Sequence, residues 1–181
     1  MATARWMRLD LPGEDEATLT RAPDGHRLAG RARFRDDPGE VDLSYSVALT
    51  DSWATRQAVV EGVTASGPLS MTITSDGRGG WRVDDAPVGR VKGSVDLDLG
   101  FTPATNLISV RRLNLRVGEH AEVIAAWIPY PEFRLEPLRQ VYHRITATAY
   151  AYECPALCFR SRLTVDPDGF VTAYPPLWEP R

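Results

Sequence analysis

The chain has 181 residues, enough for one domain spanning 1–181 to bury a substantial core without disulfides or metal. It is 43% hydrophobic and 25% charged, ordinary for a globular protein. A net charge of −3 gives no electrostatic case for nucleic acid or an anionic membrane surface as partner.

The N-terminus, M-A-T-A-R-W-M-R-L-D, lacks the apolar run of a secretory signal. No stretch approaches the roughly 18–20 apolar residues of a membrane-spanning helix. A cytoplasmic location is the expectation. Residues 5–20 read as a first strand and a loop containing L-P-G-E-D-E. Pro23-Asp24-Gly25 is a turn: Pro presets φ, Asp bonds its own backbone and Gly accepts positive φ. Similar punctuation recurs at Asp37-Pro38-Gly39, Asp76-Gly77 and Pro167-Asp168-Gly169, which suggests a meander of strands.

Val41 to Leu49 is the cleanest strand, with Val41, Leu43, Tyr45, Val47 and Leu49 on one face. Trp53 to Val63 is expected as its antiparallel partner, with Trp53, Thr55, Gln57, Val59 and Val63 sharing a face and Arg56 opposite. Leu69, Met71 and Ile73 alternate with small polar residues, Trp81 and Val83 continue the pattern, and Val91 to Leu99 follows. Thr102-Pro103 suits an N-cap and a first helical position, so a short helix over roughly 103–110 is expected. Alternation resumes at Leu113. Further strands are read at 123–128, 141–153, 157–165 and 170–174. The fold class read from this pattern is mainly β: one domain with a large curved antiparallel sheet, half-barrel-like, whose concave face holds a short helix, a ligand, or both. Curvature answers the problem of edges in so large a sheet.

The residues that bring chemistry cluster between Val95 and Leu115. Asp96 and Asp98 alternate with Val95, Leu97 and Leu99, and Asn106, Arg111 and Arg112 follow. Two apart on a strand, the acids share a face with Cβ atoms roughly 6.5–7 Å apart. That touches the carboxyl spacing of inverting glycosidases, although two neighbours on one strand approach a substrate from the same side. A concavity in which an arginine compensates both acids would leave carboxylate oxygens to accept sugar hydroxyls. Trp53, Trp81, Trp127, Tyr142 and Tyr150 offer broad faces for sugar rings or acyl chains.

Other chemistries lack their residues. His26, His120 and His143 have no metal-ligand spacing, so no metal is expected. No G-x-S-x-G elbow and no phosphate loop occurs; Gly77-Arg78-Gly79-Gly80 reads as a hairpin turn. No cofactor and no catalytic residue is assigned. Cys154 and Cys158 would stand about 13 Å apart on one continuous strand, too far to bridge; only a turn at Pro155 could join them, and the preferred reading is two reduced, packed thiols.

The run G-S-V-D-L-D-L-G-F-T-P-A-T-N-L-I-S-V-R-R-L-N-L closely resembles the core motif of the bacterial family described as putative glycolipid-binding, formerly a domain of unknown function. W-A-T-R at 53–56, A-A-W at 125–127, L-E-P-L-R-Q-V-Y at 135–142 and the closing V-D-P-D-G-F-V-T-A-Y-P-P-L-W extend the likeness over nearly the whole chain. The resemblance implies a largely antiparallel sheet around one helix, remotely like the lipoprotein localisation factors. It further implies a homodimer and an acidic pocket that holds a glycolipid or other sugar-headed amphiphile. Carried onto matching positions, the ligand-binding candidates are Asp96, Asp98, Asn106, Arg111 and Arg112, joined by Arg56, Trp127, Gln140 and Tyr142. Ser109 stands where the family commonly has a Pro nearby. Three readings stay open: a non-catalytic binder or carrier of such an amphiphile, a structural or partner-binding dimer with a buried Asp/Arg network, and a glycan- or glycolipid-acting hydrolase using Asp96 and Asp98.

Overall fold

The computed structural model describes every residue except Pro38, so the expected turn at Asp37-Pro38-Gly39 lies partly outside the described residues. The elements in chain order are β1 (Ala2–Arg8), β2 (Gly13–Ala22), β3 (Gly25–Asp36), β4 (Gly39–Leu49), β5 (Thr55–Thr64), β6 (Gly67–Ser75), β7 (Trp81–Val83), β8 (Ala86–Pro87), β9 (Leu97–Leu99), α1 (Asn106–Leu113), β10 (His120–Ile128), β11 (Glu136–Thr146), β12 (Ala149–Cys154), β13 (Phe159–Val165), β14 (Val171–Ala173) and β15 (Trp178–Pro180). The mainly-β architecture with one helix is as the alternation leads one to expect, but the strands divide between two sheets. The first runs β15-β1-β2-β3-β4-β5-β6-β7-β8, and the second β14-β13-β12-β11-β10-β9. Pairing is antiparallel except between β9 and β10, which α1 connects and which run parallel. Among the described residues no helix is long and apolar enough to cross a membrane.

The sheets part where Val91 to Leu99 was expected to be one strand. Val91 closes a 3₁₀ turn, and only Leu97–Leu99 pairs with a neighbouring strand. Here the backbone is satisfied by the start of β5 instead: Thr55 N–H donates to Val95 O at 3.0 Å and Leu97 N–H to Thr55 Oγ1 at 3.2 Å. Thr55 thus ties the two sheets together at the approach to β9.

β4 buries the expected residues, Val41, Leu43, Tyr45, Val47 and Leu49. β5 does not follow the expected face: Ala58 and Val60 are buried, whereas Gln57 and Val63 are exposed. The cause is a register shift, since Ala48 pairs Gln57 while Leu49 pairs Thr55, leaving Arg56 as the extra residue of a bulge. Trp53 precedes the strand in a tight turn with φ of 69°.

One core spans both sheets. Leu28, Leu43, Val47 and Ile73 come from the first and Leu97, Leu99, Ile128 and Leu163 from the second, with Leu107 and Ile108 of α1 between them. Each such side chain is worth about 1.5–3 kcal/mol when fully buried. α1 begins three residues later than the sequence suggests. The preceding turn is tighter, with Asn106 N–H to Pro103 O and Leu107 N–H to Ala104 O, and Thr102 Oγ1 accepts the Ala104 amide at 3.0 Å. Thr102 therefore caps the turn that leads into the helix.

Candidate functional site

Residues 101–110 are buried without interruption, so α1 has no solvent face over its first half. What distinguishes its sides is polarity. Thr105, Ser109 and Arg112, spaced i, i+4 and i+7, form one stripe, and that stripe looks at the two acids presented by β9 and its approach. Ser109 Oγ donates to Asp96 Oδ2 at 2.8 Å, and Arg112 donates from Nη2 to the same oxygen at 2.8 Å and from Nε to Oδ1. Thr105 Oγ1 donates to Asp98 Oδ1 at 3.3 Å while accepting the Leu99 amide at 3.0 Å. A period of two on the strand and of nearly four on the helix thus bring the motif's polar groups into register.

The two acids end in different surroundings. Asp96 is 1% exposed and both of its carboxylate oxygens are engaged by Arg112 and Ser109. Asp98 is only partly covered and lines a small pocket of about 120 Å³. Gln140 Nε2 donates to its Oδ2, and Gln140 Oε1 in turn accepts the Tyr142 hydroxyl at 3.3 Å. The single proton of that hydroxyl is shared with Asn106 Oδ1, the nearer acceptor at 3.0 Å, and Asn106 Nδ2 donates to Pro103 O. Burial pushes the Asp98 carboxyl up to about 6, ahead of the opposing pull of the Gln140 and Thr105 donors, and the charge of Asp96 adds to the rise.

The pocket walls are aromatic and aliphatic, with Leu138, Leu157 and Leu177 among them. Trp127, Tyr152, Phe159, Tyr174 and Trp178 surround Asp98, with Thr102 and Asn106 as further polar groups. Tyr152 and Tyr174 meet edge to face with centroids 5.6 Å apart, and Phe159 sits 5.8 Å from Tyr174. Gly100 makes room for Trp127, because a Cβ there would come within 2.7 Å of its Nε1. Cys154 also lines the pocket and donates to the Tyr152 hydroxyl at 2.9 Å; burial raises its thiol to about 11, which keeps it protonated at neutral pH. Cys158 is exposed, not packed as expected, beyond a one-turn 3₁₀ segment.

A second buried acid lies behind Thr102. Asp15 is 2% exposed and accepts the Tyr45 hydroxyl at 3.0 and 3.1 Å as well as the Thr102 hydroxyl. Desolvation lifts its carboxyl to about 6 against these donors. Tyr45 reaches it by crossing Gly30, where a Cβ would fall 2.3 Å from the phenol oxygen.

Of the nine candidates, Asp96, Asp98, Asn106, Arg112, Gln140 and Tyr142 are linked by hydrogen bonds or, between the acids, by charge, and Trp127 walls the same pocket. Arg56 stands apart, half-exposed and paired with Asp24. Arg111 is also elsewhere, turned to the outside with its guanidinium carbon 5.0 Å over the Trp53 ring. Sequence reasoning did not find Thr105, Tyr152, Tyr174 or the Asp15–Tyr45–Thr102 group. The 105/109/112 spacing opposite two alternating acids was the available signal for the first; Tyr152 and Tyr174 had none beyond composition.

A family model described as "Putative glycolipid-binding" matches residues 3–180. The crystal structure of a DUF1089 family protein from Pseudomonas aeruginosa is similar, with a TM-score of 0.81 and 30% sequence identity over 91% of each chain. No curated protein matches the chain in sequence. A motif-bearing helix set between two sheets, and a match over almost the whole length, agree: the chain belongs to the family described as putative glycolipid-binding.

Proposed function

We propose that the protein binds a glycolipid-like amphiphile without transforming it, seating part of the sugar headgroup over Asp98. The observation that carries this reading is a partly open carboxylate at the base of an aromatic pocket, fixed by Gln140 and Thr105 yet with oxygen lone pairs to spare. Sugars present hydroxyl donors on their edges and C–H faces to either side, which is the chemistry that a carboxylate ringed by Trp127, Tyr152 and Tyr174 complements. The enclosed volume, about 120 Å³, is below the roughly 300–1,000 Å³ of a site that holds a whole drug-sized ligand. The pocket would therefore take one edge of a headgroup, with the acyl portion lying across the rim near Leu157 and Leu177.

Within this reading the acids differ in role. Asp96, saturated by Arg112 and Ser109, serves the fold; Asp98 serves the ligand. Association as a homodimer belongs to the same proposal, and sedimentation equilibrium of the full chain tests it, a monomer at all concentrations being the contrary result.

Thermal denaturation with a panel of alkyl glycosides and bacterial glycolipids tests the binding itself. Stabilisation should grow with the logarithm of free ligand and vanish in Asp98→Asn, but persist in Arg56→Gln. No stabilisation by any member of the panel, together with no amphiphile in organic extracts of the purified protein, would remove the proposal.

A further inference from the structure

A groove of about 740 Å³ opens at the C-terminal end of α1 and shares no lining residue with the pocket at Asp98. Three of the segments singled out in the sequence meet there: Trp53 of W-A-T-R, the Arg111-Arg112 pair, and Asp166 to Gly169 of V-D-P-D-G-F. Arg111 is held in place from two sides. Its guanidinium lies 5.0 Å over the Trp53 ring, and its aliphatic stem runs across Gly169, where a Cβ would fall 2.7 Å from Cδ. Gly169 has φ of 93°, so neither its conformation nor its surroundings admit a side chain. Trp53 is itself fixed, stacked on His26 with centroids 3.8 Å apart and held in a left-handed turn by Trp53 N–H to Thr50 O and Ala54 N–H to Thr50 Oγ1. A bulky residue in that backbone region is strained, and the strain is offset by the seat the ring gives the Arg111 guanidinium.

Arg144 supplies a second cation. Its Nη1 and Nη2 donate to Leu115 O at 2.7 Å and Ala147 O at 2.8 Å, and its guanidinium carbon lies 5.6 Å from the Tyr150 ring. Carbonyls orient a guanidinium without neutralising it. Among the described residues neither Arg111 nor Arg144 has a carboxylate within ion-pair distance. Arg112 also faces the groove, but its charge is met by Asp96. The acid on the groove wall, Asp166, has one oxygen taken by the Phe170 amide at 2.9 Å. Buried Tyr150, and Trp53 stacked on His26, seat the two cations, and two oriented, unneutralised guanidinium groups on one groove make a receptor for a tetrahedral or planar oxyanion.

We propose that this groove is an anion-binding site that takes the phosphate group of an organic phosphate, with Arg111 and Arg144 as charge partners. The site is separate from the headgroup pocket at Asp98 and does not depend on it. A soluble phosphate ester and a phospholipid headgroup present the same chemistry, and the experiment tells them apart.

Isothermal titration of the full chain with glycerol 3-phosphate should show saturable binding that weakens with added salt. Arg111→Gln should weaken it about tenfold or more, as for losing hydrogen bonds to a charged donor. Thr148→Asp, which sets a negative charge on the groove wall without touching Arg111, should give a loss in the same direction if Arg111→Gln folds poorly. Asp98→Asn should leave phosphate binding unchanged. Co-sedimentation with phosphatidylglycerol vesicles, competed by glycerol 3-phosphate and absent with phosphatidylcholine, would assign a lipid source; binding of the ester with no vesicle association would assign a soluble one. No binding of any of these probes, or binding that Arg111→Gln and Thr148→Asp both leave unaltered, overturns the proposal.

Discussion

Arg112 and Asp96 meet as a two-pronged ion pair between α1 and the approach to β9, the guanidinium 25% exposed and the carboxylate 1%. The pair is asymmetric: Asp96 has no access to water, whereas Arg112 keeps one edge toward the outer groove. Asp96→Ala would leave an inward cation with nothing to meet it, and a loss of about 3 kcal/mol is expected. Ser109→Ala removes only one donor to the same oxygen and should cost about 1 kcal/mol. Urea denaturation, compared at unchanged m, checks both.

Asp98 should make unliganded stability depend on pH in the direction opposite to most carboxylates. Its folded value of about 6 lies above the ordinary 3.8, so the folded state holds its proton more tightly than the unfolded chain does. That contribution is fully present below pH ~4 and is lost as pH rises through about 6. Asp98→Asn is therefore expected to be more stable than the wild type by about 1–2 kcal/mol at pH 7, taking 1.36 kcal/mol per unit and discounting for partial exposure. The difference should disappear at pH 4. Denaturant titrations of both proteins across pH 4–7 measure it.

Ligand binding should show the complementary dependence. Hydroxyl donors on a sugar favour the ionised form of Asp98, so glycolipid affinity is expected to fall as pH drops below about 6. Titration of one alkyl glycoside at pH 7.5 and pH 5 gives the comparison. Equal affinity at both would show that Asp98 does not receive the ligand.

Gly30 is expected to be intolerant for a reason unrelated to turns. Gly30→Ala would drive a methyl group into the Tyr45 hydroxyl and the Glu16 carbonyl, 2.3 and 2.6 Å away, at a cost of about 1–3 kcal/mol. Tyr45→Phe avoids that clash but takes a donor from Asp15, so its cost of about 1–3 kcal/mol at pH 7 should shrink as Asp15 protonates below about 6. Thermal melts at pH 7 and pH 4.5 separate a steric loss, which is constant, from a titrating one.

What could be read from the sequence follows the physics of alternation. Val41 to Leu49 buries the residues its period of two assigns, and Met71 and Ile73 are buried with Leu69 half-buried on the same face, because each strand faces one core across a regular ladder. Beyond Arg56 the same reasoning picked the wrong face of β5, since one bulged residue exchanges the two sides. The density of polar groups between Asp96 and Arg112 leaves an internal network and a site both open in the sequence; the structure joins Asp96, Ser109 and Arg112 by hydrogen bonds. The helix starts three residues later than the Thr102-Pro103 signal suggests because Thr102 caps a tighter turn that precedes it, and its wholly buried first half has no apolar stripe to mark its frame. Asp15 looked like part of a charged loop, flanked by Glu14 and Glu16; the alternation of Asp15 with Ala17 and Leu19 was visible, but nothing local showed that a tyrosine thirty residues away would meet it. Arg111 and Trp53 lie far apart in the chain, and only the fold sets one above the other.

The polar stripe on α1 bears on how the helix is seated. Leu107, Ile108 and Val110 hold it by contacts that would tolerate a small slide or rotation between the sheets. Thr105, Ser109 and Arg112 would not, because Thr105 and Ser109 must each meet one particular carboxylate oxygen and Arg112 both oxygens of Asp96. They act as index pins: grease supplies the grip, and charge sets the notch. The width of the hollow over Asp98 is then decided by where the pins land, so a substitution that lets the helix shift by a fraction of a turn could empty or crush that hollow while leaving the overall architecture untouched.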